Sequence, residues 1–449
     1  MTDPRGPVTV VRCEWVVTVD DDDRVLDDGA VAMADGVVVA VGPAEAVLAE
    51  VSATGAPSEV VHLPGHALLP GLVNAHTHLA MTMFRGYADD RDLQAFLDLV
   101  VPAEIRVLDE SRVRAATRAA AVESLLAGVT TALDMYFFTN ACLAAADEVG
   151  LRLQTGPIAF DAAGPEGWSW EQRLAYVDGW LAAHPSGPGW RPVVAPHSTY
   201  AISPDHLAEV AALAATHGAA VHIHASENQG ELDLVASLHG RRPLEVLDDV
   251  GLLRAGTVLA HAVWLSDDEV AQLGATGTAV AHCPASNLKL ASGVARVPDL
   301  VGAGVAVGIG TDGPASSNDL DMFAAMRLTA LLHKGAGAAG AGAGAGAMPA
   351  AEVLRMATRG GAEAVGLGAD VGAIEVGRRA DLVAVDLDRP HTQPVYDPVS
   401  TLVYAAGRAD VRHVWKDGTR VVADGEVLTV DVGEVLADLR RLREVVLGA

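Results

Sequence analysis

Cysteine is scarce in this chain. The three residues present, Cys13, Cys142 and Cys283, are widely separated and odd in number, and none belongs to a Cys-x-x-Cys pair. That excludes a disulfide framework and a thiolate zinc site, and it fits a reducing compartment. Positive charge is short as well. The 31 Lys and Arg stand against 58 Asp and Glu, a net charge of −27. Such an excess repels nucleic acid and anionic membrane, so neither is expected as a partner. No apolar run nears the roughly 20 residues needed to cross a bilayer. The polar stretch Met1–Pro7 leads into no long apolar segment of a secretory signal. The expectation is a soluble, cytoplasmic protein.

What the chain does have is apolar material. Of its 449 residues 50% are hydrophobic and 20% charged, enough for a large barrel plus an accessory domain. Residues 8 to 67 read as short strands with tight turns, for example Trp15–Val19 and Gly36–Gly42. The run Asp20–Asp23 reads as a solvated turn, since no ligand-spaced Glu follows it. From 68 to 372 the texture changes. Strand-like runs such as Gly128–Leu133, Leu151–Gly156, Arg191–Pro196, Ala220–His224, Thr257–His261, Thr278–His282 and Val305–Gly310 alternate with helical segments such as Ser111–Ala127, Pro204–His217 and Ser266–Ala275. This alternation predicts an α/β fold with a parallel sheet, and about eight repeats favour a (β/α)8 TIM-like barrel. Strand texture returns after 373, and Val432–Leu447 reads as an amphipathic helix. The simplest arrangement folds 1–67 and 373–449 together as a small, split β-sandwich domain, with 68–372 as the barrel. The Gly/Ala run Gly335–Ala347 reads as a surface loop.

Chemistry collects at predicted strand ends. In Pro70-Gly71-Leu72-Val73-Asn74-Ala75-His76-Thr77-His78 two imidazoles stand two positions apart. On a strand, residues i and i+2 share a face, so both rings can aim at one divalent metal. His197, His224, His261 and His282 close later runs, Glu227 follows His224, and Asp312 follows Val307–Thr311. Barrel enzymes gather their catalytic groups at that rim from several strands.

The Pro70–His78 segment, the His224–Glu227 element, Pro284-Ala285-Ser286-Asn287-Leu288-Lys289-Leu290 and Gly310-Thr311-Asp312-Gly313 together resemble the amidohydrolase superfamily. Within it the chain looks most like adenosine-type deaminases acting on S-adenosylhomocysteine and methylthioadenosine, over nearly its whole length. The resemblance implies one divalent metal per subunit held by His76, His78, His224 and Asp312. Zn²⁺ comes first, and Fe, Mn or Ni suit the same donors. It implies that Asp312 also accepts the proton of the attacking water, that His261 steadies the tetrahedral intermediate, and that Glu227 shuttles protons. It gives His197 a contact with the purine ring and Glu104 the ribose hydroxyls. A homo-oligomer taking a small N-heterocyclic substrate is the family expectation.

The sequence departs from that pattern at one place. Relatives that bind the homocysteine carboxylate carry an arginine after the third strand, where this chain reads Gln154-Thr155-Gly156-Pro157. Arg173 lies downstream and is the candidate to substitute for that arginine. Arg85 and Gly86 follow the branch's pattern, as do Asp89 and Asp90, which read as loop structure. His222, two before His224, is either a neighbour of the site or a packing residue. An aminohydrolase or chlorohydrolase of a triazine, pterin, pyrimidine or guanine-like base is the alternative activity, because it shares the same skeleton.

Overall fold

The computed structural model describes residues 7–335 and 344–448. Most of the predicted Gly/Ala loop and the N-terminal end of Met1–Pro7 lie outside the described residues. Strands from both ends of the chain hydrogen-bond into one eight-stranded sheet. Its order is Glu426–Val427, Thr419–Ala423, Val411–Lys416, Leu382–Asp386, Ser58–Pro70, Val8–Val17, Val25–Ala34, Val37–Pro43. The joint is antiparallel and sets Val383 opposite Leu69. Period-two burial explains the register. Val11, Cys13 and Val16 turn one way to pack with Met33, Leu68, Leu382 and Trp415. Val8 and Val10 turn the other way, against Val47 and Val51 of helix Ala44–Thr54.

The middle of the chain forms two parallel sheets. One has the order Leu72–Thr77, Val129–Asp134, Arg152–Gln154. The other runs Val307–Ile309, Ala279–His282, Thr257–His261, Ala220–Ala225, Val193–Pro196, Ile158–Ala159. The predicted strand Leu151–Gly156 is shorter than expected. Pro157 has no N–H to continue the ladder, and an added Cβ at Gly156 would lie 1.6 Å from the Val193 carbonyl oxygen. Gln154 bridges the break by accepting from Arg191 N at 3.1 Å. Helices between the strands start on side-chain caps: Asp92 for Leu93–Val107, Asp109 for Glu110–Leu126, Ser203 for Pro204–His217 and Ser266 for Asp267–Thr276. The closing helix, Val432–Gly448, buries Val435, Leu442 and Val446. Among the described residues no helix is long and apolar enough to cross a membrane.

Two sets of contacts lock these parts together. Arg152, 7% exposed, pairs with Asp381 and, at 2.5 Å, with Asp417, tying a parallel strand to the terminal sheet. The outer strands Val307–Ile309 and Leu72–Thr77 also meet. Asp312 N donates to His76 O at 3.0 Å, and Thr311 N to Asn74 Oδ1 at 3.0 Å. Gly310 permits that approach, since a Cβ there would meet His76 O and Cβ at 2.9 Å. Gly310→Ala is therefore expected to destabilise the fold by about 1–3 kcal/mol through overpacking. Urea unfolding of the metal-free protein measures it, and an unmoved midpoint would mean the two strands have room to spare.

Candidate metal centre and catalytic pocket

The strand Leu72–Thr77 delivers His76 with its side chain fully buried, and His78 follows at the strand's exit. His78 Nδ1 donates to the Met135 carbonyl at 2.6 Å and His224 Nδ1 to the His197 carbonyl at 2.8 Å. Carbonyls only accept, so both rings carry their proton on Nδ1 and present a bare Nε2 lone pair. The two Nε2 atoms face each other at 3.2 Å. His76 Nδ1 meets His222 Nε2 at 2.8 Å, and His76 Nε2 is buried with no hydrogen bond. Asp312 Oδ1 stands 3.3 Å from Nε2 of both His76 and His78.

Lone pairs and a carboxylate aimed at one point repel each other unless a cation lies between them. Donors bonded to one ion at roughly 2.0–2.1 Å stand about 3 Å apart, and the spacings here, 3.2 and 3.3 Å, are of that size. Charge states agree. Burial holds His76 down to about 3, so its imidazole is neutral at physiological pH as ligation requires. Burial opposes ionisation of Asp312, and the two donors aimed at its carboxylate favour the charged form. These are Gly313 N and Ser316 Oγ, each donating at 2.7 Å. The donor set fits a divalent metal.

Around this point stand the other predicted residues. His261 Nδ1 meets Asn287 Oδ1 at 2.8 Å, and its Nε2 is 3.8 Å from Glu227 Oε2. Burial works against a charge on His261, but Glu227 and Asp312 raise its pKa overall. Burial raises Glu227, whose Oε1 accepts from Ser292 Oγ at 3.3 Å and whose N–H donates to Glu231 at 2.6 Å. Ser226, His261, Ala262 and Asp312 all adopt positive φ. Each such residue costs about 1–3 kcal/mol, and such strain clusters at functional sites.

A cavity of about 320 Å³ opens above the cluster, with His78, His224, His261, Glu227 and Asp312 in its wall. Glu104 and His197 line it too. Burial pushes Glu104 up to about 7, although it accepts from Tyr136 Oη at 2.6 Å. His282 goes elsewhere. It pairs with the buried His333, ring centroids 5.6 Å apart. Arg173 is buried behind the wall, donating to the Ala163 carbonyl at 2.9 Å. Arg85 bonds Glu123, and Asp89 pairs with Lys289 at 2.7 Å, both structural links. Residues that the sequence did not single out as site residues are Asn287, Tyr136, Ser292 and Ser316. Their partners lie on other segments or a turn away, and no local spacing marks them.

Several known proteins resemble this chain over most of its length. The amidohydrolase family matches residues 67–421. A 5-methylthioadenosine/S-adenosylhomocysteine deaminase of Syntrophobacter fumaroxidans is 43% identical over 426 residues, 95% of each chain. An adenosine deaminase from Xanthomonas campestris, solved with bound zinc, is 35% identical, with a TM-score of 0.93 over 99% of this chain and 100% of that one. An atrazine chlorohydrolase from Arthrobacter aurescens complexed with zinc is 26% identical, with a TM-score of 0.88 over 97% and 100%.

The protein is expected to retain a single equivalent of Zn²⁺ through desalting, measured by inductively coupled plasma mass spectrometry. Asp312→Asn keeps the side chain's shape and removes its charge. It should fold with unchanged circular dichroism and bind the ion at least about tenfold more weakly. Undiminished affinity in that variant would remove Asp312 from the donor set.

Proposed function

The chain belongs to the amidohydrolase family, and we propose that it is a metal-dependent hydrolytic deaminase, converting an adenosine-like nucleoside to its inosine counterpart with release of ammonia. The observation that carries this reading is the convergence of His78, His224, Asp312, His261 and Glu227 in the wall of one cavity, with His76 buried directly beneath, 3.3 Å from Asp312. We further infer that the parallel strands close into a (β/α)8 barrel over 68–372, with 1–67 and 373–449 as a small β-sandwich. The bond from Asp312 N to His76 O supports that closure.

His76, His78, His224 and Asp312 would hold the metal, Zn²⁺ by preference, with Fe, Mn or Ni suited to the same donors. Bound there, the ion supplies Lewis acidity that makes water nucleophilic near neutral pH. The remaining work falls to the chain. Asp312 takes a proton from water as the oxygen adds to the amino-bearing ring carbon. Glu227, whose burial favours the protonated form, gives its proton to the adjacent ring nitrogen, so no nitrogen anion forms. His261, fixed by Asn287, hydrogen-bonds the new oxygen. Asp312 then protonates the amine, the hydroxyl proton returns to Glu227, and ammonia leaves. The ring keeps its N–H and gains a carbonyl. Such proton transfers are typically worth about 10²–10⁴-fold each.

His197 and Glu104 set the substrate. Glu104, steadied by Tyr136, can accept from two vicinal ribose hydroxyls. A triazine or pterin base offers that carboxylate no vicinal diol, so the free-base alternative gains no support from the cavity.

Ammonia release, with loss of the purine band near 265 nm, should occur with adenosine or methylthioadenosine and not with free adenine. Glu227→Gln should fold normally and lose about 10²–10⁴-fold in kcat; a near-normal rate would end its role as shuttle. Glu104 must be ionised for both its oxygens to accept from the two hydroxyls, and burial pushes its carboxyl up to about 7. Nucleoside kcat/KM should therefore fall as pH drops below 7, and Glu104→Gln should lower kcat/KM and flatten that limb. A limb unchanged in the variant would assign it to another group.

A further inference from the structure

The strand Ala220–Ala225 gives way to a left-handed residue, Ser226 at φ 54°, and then to Glu227. The peptide unit between those two residues has left the sheet ladder, so both of its polar ends need other partners. Both have them. The Ser226 carbonyl accepts from Val263 N at 3.0 Å and Trp264 N at 2.9 Å, on the loop that follows His261. The Glu227 N–H, at the other end of the same peptide unit, donates to Glu231 Oε2 at 2.6 Å. Glu231 is 4% exposed, in the first turn of helix Gln229–His239, and its own N–H donates to Asn228 Oδ1 at 2.7 Å. Burying a carboxyl costs stability unless it is paired, yet Oε1 of this one is buried with no hydrogen bond. Burial pushes the group up to about 7, against the Glu227 N–H, which favours the ionised form. It accepts in either state, because a protonated carboxyl keeps its carbonyl oxygen.

We propose that Glu231 is a positioning residue for the proton shuttle: with the N–H groups of Val263 and Trp264 it clamps the Ser226–Glu227 peptide unit, and so sets where the Glu227 carboxyl stands. The inference rests on the deaminase reading and adds to it a residue outside the cavity wall. Glu227 has to meet a ring nitrogen whose place is set by other parts of the fold. Its own side-chain contacts hold it loosely, at 3.3 Å from Ser292 Oγ and 3.8 Å from His261 Nε2. The backbone clamp is tighter. Because Val263 and Trp264 follow His261 directly in the chain, one peptide unit also keeps the shuttle in register with that ring. Without the Glu231 oxygen the Glu227 N–H is left buried and unpaired. Rotating the peptide unit towards another acceptor swings the Glu227 side chain with it, and a displacement of about 1 Å costs on the order of 10²-fold in rate.

The test is a double-mutant cycle on the zinc-loaded protein with adenosine and 5′-methylthioadenosine. Glu231→Met keeps the side chain's length, suits the buried helix face shared with Leu232 and Val235, and removes the acceptor. Its kcat is expected to fall about 10–100-fold, with KM and zinc content within about twofold of the parent protein. Glu231→Gln, whose amide oxygen takes the place of Oε2, should recover to within about threefold of the parent. In a Glu227→Gln background, Glu231→Met should cost no more than about threefold further, since the group it positions is already disabled. The full loss repeated in that background would make Glu231 a general support of the fold and overturn the proposal. So would a Glu231→Met rate within about threefold of the parent, or a Gln variant as slow as the Met one. Should Glu231→Met not fold, Glu231→Asp, which draws the acceptor back by one methylene, is read through the same cycle with the same expected loss. A parent protein that deaminates neither nucleoside defeats the deaminase reading, and this inference with it. An active parent with an unaffected Glu231→Met variant defeats this inference alone.

Discussion

The site depends on a repulsion. His78 and His224 have their protons committed to backbone carbonyls, so their remaining lone pairs confront each other at 3.2 Å, and that of His78 also faces Asp312 at 3.3 Å. Left alone, this is a strained arrangement. With a small divalent ion between them, the same spacing becomes an attraction, and neutral imidazoles are the state that burial already favours. The fold thus stores its preference for a cation in the direction of two N–H bonds.

Holding those rings still takes the rest of the architecture. Each comes from the end of a different strand, or the turn just beyond it, and the carbonyls of Met135 and His197 come from neighbouring strand ends. The glycine at 310 lets the strand bearing Asp312 lie against the strand bearing His76. Left-handed backbone at Ser226, His261, Ala262 and Asp312 breaks the regular alternation where the strands run into loops. Core packing across many buried strand residues offsets that local cost.

Much of this was legible in the sequence, for identifiable reasons. His76 and His78 announce themselves by their period of two, and the alternation of apolar runs with capped helices marks the parallel sheets. Ala220–His224 and Thr257–His261 fall within a residue of the observed strands. What stayed hidden was pairing at a distance. Asn287 meets His261 across 26 positions, and His222 meets His76 across 146. His282 shows where local reading misleads. It ends a strand as His261 does, but it continues the face of Val280, which belongs to the main core with Leu300 and Phe323. His261 departs from the face of Leu259 because its φ is positive, a property that sequence does not display.

The antiparallel joint between Leu69 and Val383 carries a consequence for biosynthesis. The strand Ser58–Pro70 leaves the ribosome long before its neighbour Leu382–Asp386 exists. At about 5–20 residues per second the interval is tens of seconds. Throughout it the nascent N-terminal strands carry an open edge, the kind of surface on which two growing chains can stick to each other. A chaperone that shields this edge during translation would act on the molecule's most exposed moment.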